Sequence, residues 1–319
     1  MNAKKTLLAG FTTVRNLGDG DSGVILALRD AVAKGWVQGP RIIDAGTSIS
    51  TTSGHMDGRL GYADWVQHGI TTSNLCDGPE SCRKAVRLQI GRGVDVIKIA
   101  TTGGVNSKIG VGVGKQMFDD EVKALIDTAH LYGKKVAVHA HGADGVELAL
   151  AAGADSIEHG TLLTEQSVKL FLKSGAYYVP TLSTINGYLE RLANNPDAYP
   201  PAVKAKIEWR IGITGKALLL AHARGVKIAF GTDAGVSKHG RNADEFELMV
   251  KFGMTPAEAI KAATVNAADL LGVSAIAGSL EAGKSADMIA VEGDPLVDVK
   301  RLKKISFVMM TGQVIKEVH

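Results

Sequence analysis

With 319 residues, 45% of them hydrophobic, the chain is long enough to bury a barrel-sized core. Its 36 Lys and Arg against 33 Asp and Glu give a formal charge of +3 without a basic run, which argues against nucleic acid or an anionic membrane as partner. No stretch reaches the roughly 18 uninterrupted apolar residues of a membrane span. Cys76 and Cys82, lacking a CxxC spacing, read as ordinary thiols of a reducing compartment, so a cytoplasmic location is expected.

The chain opens on the tail of a helix, 2–9, stopped at Gly10 and followed by a strand over 11–15. A helix over 23–34 leads to a strand at Ile42 and Ile43, and Ser/Thr/Gly richness makes 47–58 a loop. The alternation then runs helix 79–92, strand 95–100, helix 118–132, strand 135–140, helix 144–152, strand 155–158, helix 164–174, strand 176–181, a long helical region up to Arg224, and strand 227–231. Helices over 242–252 and 256–271 follow, and short strands over 286–291, 305–310 and 313–318 close the chain.

Seven strands, each followed by helix, imply a parallel sheet. Lys98, His139, His159 and Asp233 all fall at strand C-terminal ends on different strands, as on the top face of a TIM barrel, and no GxGxxG follows the first strand. The fold class is therefore α/β: a (β/α)8 TIM-like barrel over 1–272 of which seven strands are present, with a small β-appendage over 273–319. The first barrel strand is expected upstream of Met1.

Lys98 sits inside the apolar run VIKIA, where an unpaired ammonium is costly and must be neutralised, paired or bound. By strand parity Val96, Lys98 and Ala100 share a face, as do Ala137, His139 and His141, and Asp155, Ile157 and His159, so Lys98, His139 and His159 can converge. Neutral imidazoles suit zinc first, and manganese, iron or nickel as well. A deprotonated lysine that adds carbon dioxide becomes a carbamate, an oxygen ligand. Asp233, in IAFGTDAG, can bind metal and take the proton of a water acidified by the cation, which is hydrolase chemistry. His141, past its strand end, reads as a substrate-side residue, and His55, Tyr178 and His239 are further candidates for substrate contact.

VIKIATTGG, VAVHAHG, DSIEHG, GTDAG and GSLEAGKSADMIAVEGDPL together resemble the amidohydrolase superfamily, in particular its imidazolonepropionase-like branch of metal-dependent Xaa-Pro dipeptidases and carboxypeptidases. The resemblance implies a carbamylated, metal-bridging Lys98, a second metal on His139 and His159, and an Asp233 that binds the first metal and shuttles protons. Relatives open their barrel with an HxH pair on strand 1, and no HxH precedes Lys98 here. The expected activity is hydrolysis of a peptide or N-acyl amino-acid amide bond in a small-molecule or dipeptide substrate, by a homo-oligomer. Cyclic-amide hydrolysis or deamination on the same scaffold is the alternative within enzymes, and a catalytically impaired remnant binding at most one metal is the alternative outside them.

Overall fold

A computed structural model describes residues 1–19, 22–70, 72–107 and 112–318. In chain order the elements are α1 (Asn2–Leu8), β1 (Thr13–Asn16), α2 (Val24–Ala33), β2 (Arg41–Asp44), α3 (Asp64–Gly69), α4 (Pro79–Gly91), β3 (Ile97–Ala100), α5 (Asp119–Leu131), β4 (Val136–Ala140), α6 (Ala143–Ala152), β5 (Ser156–His159), α7 (Glu165–Ser174) and β6 (Tyr177–Val179). The second half holds α8 (Thr184–Asn194), α9 (Pro201–Ile213), α10 (Lys216–Ala223), α11 (Asp244–Lys251), α12 (Pro256–Ala263), α13 (Val265–Leu271), β7 (Met288–Val291), a 3-10 turn (Val299–Lys303), β8 (Ile305–Met310) and β9 (Gln313–Glu317). No helix among the described residues is long and apolar enough to cross a membrane.

β1 and β2 pair in parallel, and β3, β4, β5 and β6 form a parallel sheet in chain order. Short bridges link these sheets into one run. Asp95 N–H donates to Asp44 O at 2.8 Å and Ile49 N–H to Lys98 O at 2.8 Å, while on the far side Tyr178 N–H reaches Lys227 O at 2.8 Å and Ala229 N–H reaches Tyr178 O at 3.0 Å. The expected strand over 227–231 is thus reduced to a parallel bridge between Tyr178 and Ile228. Its outer edge is occupied instead by Ala262 O, which accepts from Phe230 N–H at 3.1 Å, and by Asn266 Nδ2, which donates to Ile228 O at 2.8 Å. The described strands do not close into a barrel; across the seam between the two ends of the run the Phe11 and Phe230 rings stack with centroids 5.6 Å apart.

Side chains alternate across this sheet. Ile97, Ile99, Val136, Val138, Ala140, Ile157 and Tyr178 point outward into the main core against the helices, while Ala45, Val96 and Ala137 form a small inner layer. Lys98 and His139 lie on that inner face, as the parity argument requires. β5 departs from it. Ser156 and Glu158 face inward and Ile157 outward, and His159 reaches the inner side because its backbone turns left-handed, φ 74°, at the strand end.

Three further expectations are corrected. The helix expected over 256–271 breaks at Thr264, whose φ of −119° and ψ of −89° are not helical and whose hydroxyl turns back onto Ile260 O at 2.8 Å. The helical region before Arg224 divides into α8, α9 and α10, interrupted first by the Pro200-Pro201 pair and then at Gly215, φ 86°, where a Cβ would meet the Phe252 ring at 2.1 Å. Cys76 and Cys82 are joined in a disulfide across the start of α4, their Cα atoms 4.8 Å apart, so they are not free thiols and the reducing-compartment argument loses its basis. At the other end of the chain, β7, β8 and β9 form an antiparallel sheet whose Ile305 and Val308 bury Leu7 of α1.

Candidate active site

The inner face of the sheet opens into a cavity of about 500 Å³. Lys98, His55, His139, His141, His159 and Asp233 all line it. His139 is the hub of the four imidazoles. Its ring stacks on His55 at 4.0 Å and meets His141 and His159 edge-on at 4.9 and 4.8 Å, while His141 and His159 stack at 5.0 Å. One nitrogen from each of His139, His141 and His159 lies within 4.8 Å of the others, a grouping that can hold a metal ion. His141, expected on the substrate side, is therefore the third member of this cluster.

Each ring is oriented by a partner behind it. Nδ1 of His141 pairs with Thr161 Oγ1 at 2.7 Å, Nδ1 of His159 with Thr181 Oγ1 at 2.7 Å, and Nε2 of His139 with Gly103 O at 3.3 Å. The Gly103 carbonyl can only accept, so it takes the N–H of His139 and leaves the opposite nitrogen's lone pair free for a cation, while the threonine hydroxyls orient the His141 and His159 rings. Thr181, φ 48°, and Asp233, φ 50°, adopt the same left-handed backbone as His159, so three of the strand-end residues here are held in a conformation uncommon outside glycine. Gly104 admits the His55 ring, since a Cβ there would sit 2.1 Å from His55 Cε1; the His55 Nδ1 pairs with Ser107 Oγ at 3.1 Å.

Burial keeps these rings uncharged. Desolvation, with repulsion from neighbouring rings and cations, holds His139, His141 and His159 well below the ordinary histidine value, and His55 is lowered to about 4 by burial with added repulsion from Lys98 and Lys206. Lys98 is 4% exposed and brought down to about 8 by desolvation; Glu158 and Asp233 attract its ammonium and Arg15 repels it. Glu158 is itself neutralised by Arg15, Nη2 to Oε1 at 2.8 Å, and accepts from Ser156 Oγ at 2.6 Å. Asp233 keeps solvent contact, yet the protein packed around its carboxyl raises its pKa by desolvation, with Lys98 pulling the other way.

Tyr178 does not belong to the site. It points out of the sheet, 1% exposed, packs edge-on to Phe171 at 6.0 Å and spends its hydroxyl on His159 O at 3.1 Å, so the expected substrate contact is corrected to a structural one. His239 also lines the cavity, its Nδ1 paired with Thr6 Oγ1 of α1 at 3.2 Å. Sequence reasoning passed over Arg15, Glu158, Thr161, Thr181, Tyr188 and Arg210. Arg210 lies in IEWRIGI, where Glu208 interrupts the apolar run, so the argument that singled out Lys98 does not reach it.

Comparison with known proteins agrees with this architecture. Ochratoxinase from Aspergillus niger is 34% identical over 334 aligned positions, which take in 98% of this chain and 67% of that protein. Imidazolonepropionase from Fusobacterium nucleatum is 29% identical over 53% of this chain and 37% of its own. Among solved structures, a Xaa-Pro dipeptidase with methionine bound in its active site superposes with a TM-score of 0.94 at 41% identity, covering 99% of this chain and 77% of that one. The amidohydrolase family profile matches residues 2–316, and with the ochratoxinase and dipeptidase likenesses running along nearly its whole length the chain belongs to the amidohydrolase family, hydrolases that act on carbon–nitrogen bonds.

Proposed function

We propose that the protein is a metal-dependent amide hydrolase that cleaves a dipeptide of the Xaa-Pro type or an N-acyl amino acid. The observation that carries this reading is the convergence of His139, His141 and His159 with Lys98 and Asp233 on one cavity. The donor set fits a divalent ion: three uncharged imidazoles, each hydrogen-bonded from behind, are suited to zinc, manganese, iron or nickel. Lys98, with its pKa lowered and no hydrogen-bond partner for Nζ among the described residues, is the side chain available to take up carbon dioxide as a carbamate and add an oxygen ligand. Among the described residues the histidines are the one such cluster, which supports a single cation position.

When bound, the ion supplies Lewis-acid activation of water and of the amide carbonyl. Asp233 accepts a proton from the attacking water and delivers it to the leaving amine nitrogen, a task its raised pKa favours because the carboxylic acid is then a reachable state. His55, uncharged and stacked on His139, offers a ring edge to the substrate. Water adds to the carbonyl carbon, the C–N bond breaks, and a carboxylic acid and an amine leave.

The test is to load the metal-free chain with zinc, manganese, iron or nickel, measure bound metal, and assay a panel of Xaa-Pro dipeptides and N-acyl amino acids. One equivalent of metal, metal-dependent hydrolysis, and loss of both in Lys98→Ala and His159→Ala support the reading. A chain that binds no metal and turns over none of the panel would sink it.

A further inference from the structure

Glu245 of α11 is fully enclosed, 0% exposed, and does not line the cavity. Its two carboxylate oxygens accept from the backbone N–H groups of Leu182 and Ser183, at 2.8 and 2.6 Å. A buried carboxylate is costly unless it is hydrogen-bonded, and here the N–H groups just ahead of α8 supply the donors. The turn that these bonds hold carries Thr181, a β-branched residue at φ 48°, a left-handed backbone that such a residue does not keep unsupported. The same turn is closed by Thr184 Oγ1, which donates to Thr181 O at 3.0 Å, and tied to Thr232 O, next to Asp233, by Ser183 Oγ at 3.3 Å.

Thr181 decides how His159 presents itself. The hydroxyl hydrogen of Thr181 goes to Pro180 O at 2.8 Å, so toward His159 Nδ1, 2.7 Å away, its Oγ1 can only accept. His159 therefore carries its proton on Nδ1 and keeps the lone pair of Nε2 for a cation. Building on the metal-dependent reading, we propose that Glu245 is a positioning residue for the metal centre: by gripping the N–H groups of Leu182 and Ser183 it holds Thr181 where its hydroxyl sets the tautomer and the aim of His159. Without the carboxylate those two N–H groups are buried unpaired and the turn relaxes. Thr181 then leaves the left-handed region, and His159 is free to rotate or to move its proton to Nε2, where it blocks a cation.

Zinc affinity of the metal-free chain, measured by competition with a chromophoric chelator, tests this without turnover. Glu245→Gln keeps one acceptor and turns an NH2 group on the other N–H, and it is expected to weaken zinc binding roughly 10-fold or more, as loss of a group behind a metal-bound histidine does. Glu121→Gln is the matched control, since Glu121 is 5% exposed and accepts in the same way from the N–H groups of Gly78 and Phe118, at 2.6 and 2.8 Å, at the start of a different helix. It should lose similar stability in urea unfolding and leave zinc affinity unchanged. Thr181→Ala should weaken zinc as much as Glu245→Gln, and the double variant no more than Thr181→Ala alone, with circular dichroism confirming each fold. Unchanged zinc affinity in Glu245→Gln, an equal loss in Glu121→Gln, losses that add in the double variant, or a wild type that binds no zinc overturns the proposal. Should Glu245→Gln not fold, Glu245→Asp, which draws the carboxylate back by one methylene, decides in the same way. Zinc affinity that depends on Glu245 in a chain that hydrolyses no amide under any metal leaves the positioning role standing and removes the hydrolase reading. Metal-dependent hydrolysis with zinc affinity indifferent to Glu245 does the reverse.

Discussion

Replacing Arg15 by Met tests how the inner face of the sheet tolerates charge. Arg15 and Glu158 are 11% and 4% exposed at the side chain and 2.8 Å apart, and Arg15 Nη1 also donates to Ser156 Oγ at 3.2 Å. Opposite charges about 4 Å apart attract by about 4 kcal/mol at an effective dielectric of about 20. The substitution removes that attraction while Glu158 stays enclosed, held only by Ser156 Oγ and the field of Lys98. Breaking a buried pair costs about 3–5 kcal/mol; with Lys98 compensating in part, Arg15→Met should lose about 3 kcal/mol. The double variant Arg15→Met/Glu158→Leu, which leaves no orphaned carboxylate, should recover most of it. Urea unfolding followed in parallel by tryptophan fluorescence and circular dichroism measures both. A single variant less than about 1 kcal/mol below wild type, or a double variant no better than the single, would refute the reasoning.

Tyr178→Phe removes only a hydroxyl donated to His159 O and should cost about 1 kcal/mol in stability with KM unchanged; a tenfold rise in KM would return Tyr178 to the substrate. The buried histidines make the metal-free fold acid-sensitive. His55, ordinarily near 6.5 and lowered to about 4, stays neutral when folded but protonates in the unfolded chain, so stability is intact above pH 6.5 and declines as pH falls toward 4. His139, His141 and His159 act in the same direction, each adding at most about 1.4 kcal/mol per pH unit, and His55→Gln should make the decline shallower. A stability that is flat between pH 6.5 and 4 contradicts this. Thiol titration of the unreduced native chain should find no free cysteine, and Cys76→Ser should cost about 2 kcal/mol through the lost closure of a short loop; two reactive thiols would exclude the disulfide.

The sequence was most legible where a single periodicity governs. Lys98 and His139 sit on the face that alternation assigns, because β3 and β4 run straight to their ends. β5 misled because parity assumes extended backbone up to the last residue. His159 reaches the cavity only through a left-handed turn, which leaves Glu158, not Ile157, facing Arg15. Tyr178 pairs in register with Ile157 and shares its outward face, which alternation along β6 alone does not assign. Alternation already set His141 on the face of His139, but its grouping with His139 and His159, like the place of Arg210 on the cavity, follows from packing between elements distant in sequence. The break at Thr264 and the disulfide likewise depend on which local geometry wins, and spacing does not encode that.

The seam at Phe11 and Phe230 bears on how accurately the site is assembled. Strands joined by backbone hydrogen bonds are locked in steps of one residue, but stacked rings can slide without breaking a bond. With Ala262 O and Asn266 Nδ2 holding the outer edge, the height of Asp233 relative to the histidines is gauged from the sheet by the two bonds that tie Tyr178 to Lys227 and Ala229. Those two bonds act as the measuring rod between the proton-carrying carboxylate and the histidine cluster. A change that lengthens or shifts them would detune the distance between the two parts while leaving every side chain of the site in place.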